Sequence, residues 1–531
     1  MATERYIGVV ALSLTLSLAG CAAILGFEDT TVVVDLTDGG DTDGEPPGDD
    51  SDGGEAGAGR ITANPSSIVL RRGTSTQVAV DLQRGTDITG AVTVTFTDLP
   101  AGVTVTPAQL ADGVSTGNVT LAAAKNAALG PATIHLGLTP PAFAPTSVSL
   151  LVSDTPGALD VTFDADGIYL DSTKGLAATF YALAPQTDGK LLAGGQSQPQ
   201  GWMMRRLGPA GAPDSTFSAL GMPNDGELRA ITFDAAGNVV AVGSSTNGIF
   251  QELTVVRLGP TGTIDPKFAT NGIFRLSNLD APGGSNGYAV AIQPDGMILA
   301  AGSIKVAGGE DGIVVRVKTD GTKDTTFGTA GIATVKKNHF VGVSVAPGNT
   351  VALAGTDNTL ATPTFFVGRR TSTGAADATF GTAGGTSFGT TFRANGFAQL
   401  PDGSLAVVGD AQTANQYTAG VASATGGMQW VRAEAIVTNA SLFAAAAQAD
   451  GAIIAAGSST GPAAEARVFR FAANNGALDT TFGTNGSAIL AQRPGSAFDV
   501  TLVAAAIQPD GRIVVSGNRS SAGACIFRLW P

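Results

Sequence analysis

Charge is scarce in this chain of 531 residues: Asp, Glu, Lys and Arg make up only 14% of it. Runs of strong helix formers are absent, while glycine reaches 72 residues. A helical bundle or coiled coil is thereby excluded, and short strands joined by tight turns are favoured. Histidine occurs twice, at His135 and His339, too far apart for a histidine-based metal cluster or a Ser-His-Asp triad within one domain. His339, in K-K-N-H-F, reads as a solvated residue between strands. Cysteine also occurs twice, and neither residue has metal-ligand spacing. Cys525 sits in the apolar run A-C-I-F-R-L and reads as a buried, inert thiol. Trp202, Trp430 and Trp530 lie on or beside expected strands and read as core, with Trp530 at a seam. Gly283–Gly287 matches G-x-S-x-G, but in a polar loop rather than after a buried strand, so no nucleophile elbow is implied. No phosphate loop is present. No catalytic, cofactor-binding or metal-binding residue is assigned.

The formal charge of −14 is local. Residues 28–59 hold eleven acids and no base; with these, Glu4 and Arg5 set aside, 32 acids face 29 bases. The remainder is nearly neutral, and nothing points to nucleic acid. Residues 28–59 read as a disordered acidic tether, since few apolar groups offset the ordering entropy. As a coil, the stretch from Cys21 to Arg60 spans roughly 35 Å. The D-x-D-G at Asp41–Gly44 lacks the rest of a calcium loop.

Residues 1–20 carry Arg5 and an apolar run from Ile7 to Leu18, too short to span a bilayer and suited to a signal peptide. Leu18-Ala19-Gly20-Cys21 resembles the lipobox of bacterial lipoproteins. The resemblance implies cleavage before Cys21 and acylation of that residue, a lipid anchor in a membrane. Ala22 and Ala23 stand where that family places an inner-membrane retention Asp, which implies the bacterial outer membrane, on either its periplasmic or its surface face.

Residues 61–153 alternate apolar and polar side chains in about seven segments with turn residues between them, the period of half-buried antiparallel strands. With L-P-A-G-V-T-V-T-P at 99–107, this region resembles bacterial Ig-like β-sandwiches, without the cysteine pair of antibody domains. His135 is expected on one of its strands.

From 157 to 531 one phrase recurs. Q-P-D-G-M-I-L-A-A-G (293–302) is a hairpin turn followed by an apolar strand. Six relatives end at Gly195, Gly243, Gly355, Gly409, Gly457 and Gly517. Unbroken apolar runs mean strands covered on both faces. In the third unit a connector (264–272) leads to I-F-R-L as first strand, then come Y-A-V-A-I-Q, M-I-L-A-A-G and I-V-V-R-V-K. Four strands in each of seven such units predict an all-β fold, a seven-bladed β-propeller. The connector D-x-x-F-G-x-x-G, clearest at Asp324–Gly328 and Asp479–Gly483, resembles the delta-60 repeat family of bacterial β-propellers, which implies a fold but no common activity.

An Arg recurs near the end of the last strand of a unit: Arg206, Arg257, Arg316, Arg369, Arg470 and Arg528. Asp214, Asp265, Asp324 and Asp377 follow eight residues later, and Asp479 follows nine later. In the fifth unit Val421 and Gln429 replace both members. This paired loss predicts a contact between each Arg and the Asp of the next connector, pinning neighbouring blades. Asp160 and Arg528, left over at opposite ends of the repeats, are expected to meet and close the ring.

These readings predict a non-enzymatic, envelope-anchored binding or scaffold lipoprotein, expected to be a monomer, whose propeller meets a protein or glycan ligand. The alternative is a carbohydrate-active hydrolase or lyase with facing carboxylates at the propeller mouth. A third reading is a purely structural envelope component.

Overall fold

The computed structural model describes residues 59–531 apart from 86–87, 140, 172–177, 200, 247, 278–280, 282, 412–415, 435–439, 460–464, 491–499 and 520–522. The expected signal peptide, Cys21 and the acidic stretch to 58 lie outside the described residues. Apart from one 3-10 turn at Pro347–Asn349, the regular structure described is all β.

Between Arg60 and Ser153 nine strands form a four-stranded and a five-stranded sheet. Their alternating residues meet in one core that includes Ile61, Val80, Phe96, Leu121, Ile134 and Leu150. Pro65, which has no N–H to give a ladder, separates Arg60–Asn64 in one sheet from Ser67–Arg71 in the other. That break, with two short strands at Val103–Thr106 and Ala108–Leu110, accounts for nine strands where about seven were expected.

Seven further antiparallel sheets follow. Their innermost strands are Thr179–Pro185, Glu227–Phe233, Ser285–Ile292, Asn338–Ala346, Phe392–Gln399, Ala440–Ala447 and Val500–Ile507. Each inner strand touches the next, and the last touches the first. Buried residues from adjacent sheets share clusters, as Val240, Leu253 and Phe268 do with Ala300 and Val315. This face-to-face packing explains why the second strands are apolar at successive positions.

The repeating unit is offset by one strand from the expected one. I-F-R (Ile273–Arg275) is the outer strand of the preceding sheet, paired with Gln251–Leu258. The chain doubles back because Asp265 N–H bonds the Arg257 carbonyl and Arg257 N–H bonds that of Gly272. The same offset makes the N-terminal strand Ile168–Asp171 the outer strand of the last sheet, against Gly523–Leu529. The first sheet has three strands rather than four. After Asp214 the chain leaves the ladder: Ser218 N–H bonds the Thr261 carbonyl of the next sheet, and the Pro223 carbonyl accepts from Trp202 N–H.

The glycine that ends each repeated phrase has a steric purpose. A Cβ on Gly302 would lie 1.8 Å from the Asn286 carbonyl oxygen, and on Gly409 1.7 Å from that of Arg393. Gly195, Gly243, Gly355, Gly457 and Gly517 face the same obstacle. Opposite each glycine the inner strand carries a bulge, with one residue more than its partner. The extra residues are Tyr181, Arg229, Tyr288, Val341, Asn395, Phe443 and Val503.

Candidate functional site: rim latches and channel wall

The recurring Arg and Asp meet within a sheet. Arg206 Nε lies 2.8 Å from Asp214 Oδ2, Arg257 Nε 2.9 Å from Asp265, Arg316 Nε 2.7 Å from Asp324 and Arg369 Nε 2.6 Å from Asp377. The guanidinium also covers the connector's aromatic ring, Phe217, Phe268, Phe327 or Phe380, at 4.6–5.1 Å from its centroid. The D-x-x-F motif is therefore the floor and wall of an arginine socket.

The expectation that the ion pair itself joins neighbouring sheets is corrected. Because the connector belongs to the same sheet as the Arg, the link outward falls to another guanidinium nitrogen. Nη1 donates to a turn carbonyl of the next sheet: Arg206 to Pro260 (2.7 Å), Arg257 to Thr319 (2.6 Å), Arg316 to Ser372 (2.5 Å) and Arg369 to Ala424 (2.9 Å).

In the unit that lacks the pair, Trp430 does this work. Its indole Nε1–H donates to the Ala473 carbonyl at 2.7 Å, the equivalent turn position, and the residue is buried. Trp430 lies on the outer strand Met428–Glu434. Arg470 contacts Asp479 but turns its remaining nitrogens to Gln448 and Asp450. The turn it would reach is made of the two ends of the repeat region, and there Gly483 N–H bonds the Pro156 carbonyl.

At the meeting of the ends, Arg528 Nε lies 2.7 Å and Arg512 Nη1 3.0 Å from Asp160 Oδ2. Asp160 and Arg528 are 0% and 1% exposed, against 21% and 14% for the side chains of Asp265 and Arg257. Arg528 also covers Phe163 and donates to the Pro209 carbonyl at 2.5 Å. Burial, then the neighbouring Arg512, pushes the Arg528 guanidinium down to about 10.

The latch carboxyls sit below the usual Asp range. For Asp214 and Asp377 the main cause is the hydroxyl of the Thr two residues on, then its amide, with the Arg after these. At Asp265, Asp324 and Asp479 burial pushes upward, and hydrogen bonds with the Arg charge outweigh it.

The seven bulge residues all line one central cavity of about 280 Å³, to which every inner strand contributes. Arg229 lies over the Tyr181 ring, 4.1 Å from its centroid, and pairs with Glu227. Gln196 Nε2 donates to the Tyr181 hydroxyl at 3.1 Å. The Nε of Arg229 is buried without a hydrogen-bond partner among the described residues. Tyr288 packs on His339, centroids 4.7 Å apart, and His339 Nδ1 lies 2.9 Å from Glu310 Oε2. Burial, then Glu310, raises the Tyr288 phenol, while the hydrogen bond to His339 lowers Glu310.

His339 is thus on an inner strand rather than in a loop. Ser285 and Gly287 of the G-x-S-x-G match also lie on an inner strand, and Ser285 Oγ accepts from Leu253 N–H of the neighbouring sheet. His135 is on a sandwich strand, 2.8 Å from Asp98. Trp202, Trp530 and Cys525 are buried. The channel residues were missed from sequence because no single motif marks them. Their signal was positional: each precedes the small residue Ala182, Ala230, Ala289, Gly342, Gly396, Ala444 or Ala504.

Four segments, 186–217, 237–268, 293–327 and 448–482, match the family described as "Domain of unknown function (DUF5122) beta-propeller". The first three end on the socket rings Phe217, Phe268 and Phe327 and the fourth on Phe482 of the same motif, and together with the face-packed sheets they make this region a repeat-built β-propeller. No curated protein matches the sequence. Among solved structures, a quinonprotein alcohol dehydrogenase-like protein from Bacteroides thetaiotaomicron VPI-5482 is similar at 12% identity, over 69% of this chain and 93% of that one, with a TM-score of 0.27. The native conformation of E. coli alpha-2-macroglobulin is similar at 10% identity, over 89% of this chain and 39% of that one, with a TM-score of 0.16. Likenesses this remote say nothing of activity.

Proposed function

We propose that the chain is a non-enzymatic binding lipoprotein of the bacterial outer membrane. In this reading Cys21 carries the anchor, an Ig-like sandwich serves as spacer, and a monomeric seven-bladed propeller presents its channel mouth to a glycan or protein. One observation carries the binding role: seven inner strands deliver side chains of varied chemistry, among them Tyr181, Arg229 and Tyr288, to one central cavity. Among carboxylates beside wall residues, Glu227 pairs with Arg229, Asp410 accepts from Asn395 Nδ2, and Glu310 pairs with His339 next to Tyr288. The hydrolase or lyase alternative needs a pair of facing carboxylates at that mouth.

The test is to present the full chain to an array of envelope glycans and proteins while assaying the same glycans for cleavage. Saturable capture without turnover is the expected result, and turnover of any glycan overturns the reading. Labelled palmitate should enter the wild-type chain in bacteria and not Cys21→Ser; equal labelling of both removes the anchor.

A further inference from the structure

The channel wall is chemically lopsided. Tyr181, Arg229 and Tyr288 stand on three consecutive inner strands, and Val341, Asn395, Phe443 and Val503 complete the circle. Asn395 directs its amide nitrogen to Asp410 (2.9 Å) and the Leu442 carbonyl (3.0 Å). Aromatic and guanidinium planes therefore concentrate on the first arc, in Tyr181, Arg229 and Tyr288.

Charge selects the guest. Glu227 balances Arg229, and Glu310 faces His339 beside Tyr288. An anion would have to displace Glu227 from Arg229, and a cation would meet the guanidinium. Size selects further: about 280 Å³ lies just below the roughly 300–1,000 Å³ typical of small-ligand sites, which suits a small guest. One apolar face, a hydroxyl-bearing edge and no net charge describe a sugar ring, which aromatic and guanidinium planes cover well.

The surroundings suit a longer chain attached to that ring. Ile249 and Phe250, Val306 and Leu360 are exposed in the hairpins between the second and third strands of the second, third and fourth sheets. The pairing of Ser285 with Ile304 puts such hairpins at the end where the inner strands begin. The same end carries Glu310 and His339.

Resting on the binding role above, the geometry points to the channel mouth as a site for the uncharged terminal sugar of a glycan. Tyr181, Tyr288 and Arg229 supply its flat surface, and the Tyr288 hydroxyl meets a sugar hydroxyl.

Saturation-transfer NMR and calorimetry on the full chain, with glucose, galactose, mannose, N-acetylglucosamine, glucuronate and galacturonate, test this. At least one uncharged sugar should bind and both uronates should bind at least tenfold more weakly. Arg229→Lys keeps the charge but removes the guanidinium plane, and should weaken binding tenfold or more. Tyr288→Phe should weaken it severalfold, and Gln429→Ala on the rim should leave it unchanged. Matching thermal unfolding curves establish that each variant is folded, and Tyr181→Phe serves if Arg229→Lys is not. Binding of uronates alone, or sugar binding indifferent to Arg229→Lys and Tyr288→Phe, overturns the site. If no sugar binds yet the full chain captures a ligand on the envelope array, this site falls and the wider binding role stands.

Discussion

The rim and the channel wall of the propeller are built from the same repeat under different rules. On the rim, Arg, Asp and Phe recur because each makes an ion pair, covers a ring and reaches the next sheet's carbonyl in one geometry. Where the triplet is lost, Trp430 restores the outward bond by other chemistry. On the wall, the bulge repeats in all seven inner strands, but the side chain it delivers does not. The backbone device is constrained by the fold, and the residue it presents is free to vary. Interactions that hold a ring shut are therefore legible as repetition, whereas a binding surface is legible as departure from it.

Acid should strain this contrast most, because it attacks every latch together. A carboxyl whose folded pKa is lowered stabilises the fold fully above its unfolded value of about 3.9, and that contribution is lost as pH falls through the folded value. Thermal midpoints followed by circular dichroism should be flat from about pH 7 to 5 and fall below about pH 4. A midpoint unchanged down to about pH 2 would remove Asp214, Asp265, Asp324, Asp377 and Asp479 from the stability argument.

Among single substitutions Asp160→Ala should cost the most, about 3–5 kcal/mol, by leaving Arg528 and Arg512 buried beside an empty position. Denaturant unfolding measures this, and Asp265→Ala on the more exposed pair should cost clearly less. Equal losses would show that closure is no different from any other seam. Gly302→Ala should cost about 1–3 kcal/mol by pressing a methyl into the Asn286 carbonyl. If the bulge tolerates that methyl, its link to the glycine is wrong. Trp430→Phe, which loses the N–H and one of the two fused rings, should cost about 1–3 kcal/mol in the same assay. Smallest of all, Arg229→Lys should shift stability by under about 0.5 kcal/mol, since an ammonium can keep the partly exposed pairing with Glu227. A larger loss would move Arg229 from the wall's variable set to the framework.

Much of the ring was readable beforehand. The phrases ending in Gly195 to Gly517 announced the repeat, and the spacing from Arg to Asp announced the latch and brought Arg528 to Asp160. What failed was the partition of strands. A linear reading sees a connector followed by a strand and attaches both to what comes next. The hydrogen bonds from Asp265 and Arg257 fold that strand back onto what came before. His339 and Ser285 were read as loop residues because polar neighbours hid the start of a strand. Trp430 could not be recognised as a stand-in, since nothing local equates an indole N–H with a guanidinium.

By itself the sequence determined the class of structure and its closure, because turn chemistry, apolar runs and regularly spaced charges act over a few residues and repeat. The tertiary structure alone decided which sheet each outer strand joins and which seven side chains meet at the axis. Those depend on how bulges rotate residues from distant segments into one space, and no local interaction along the chain records that meeting.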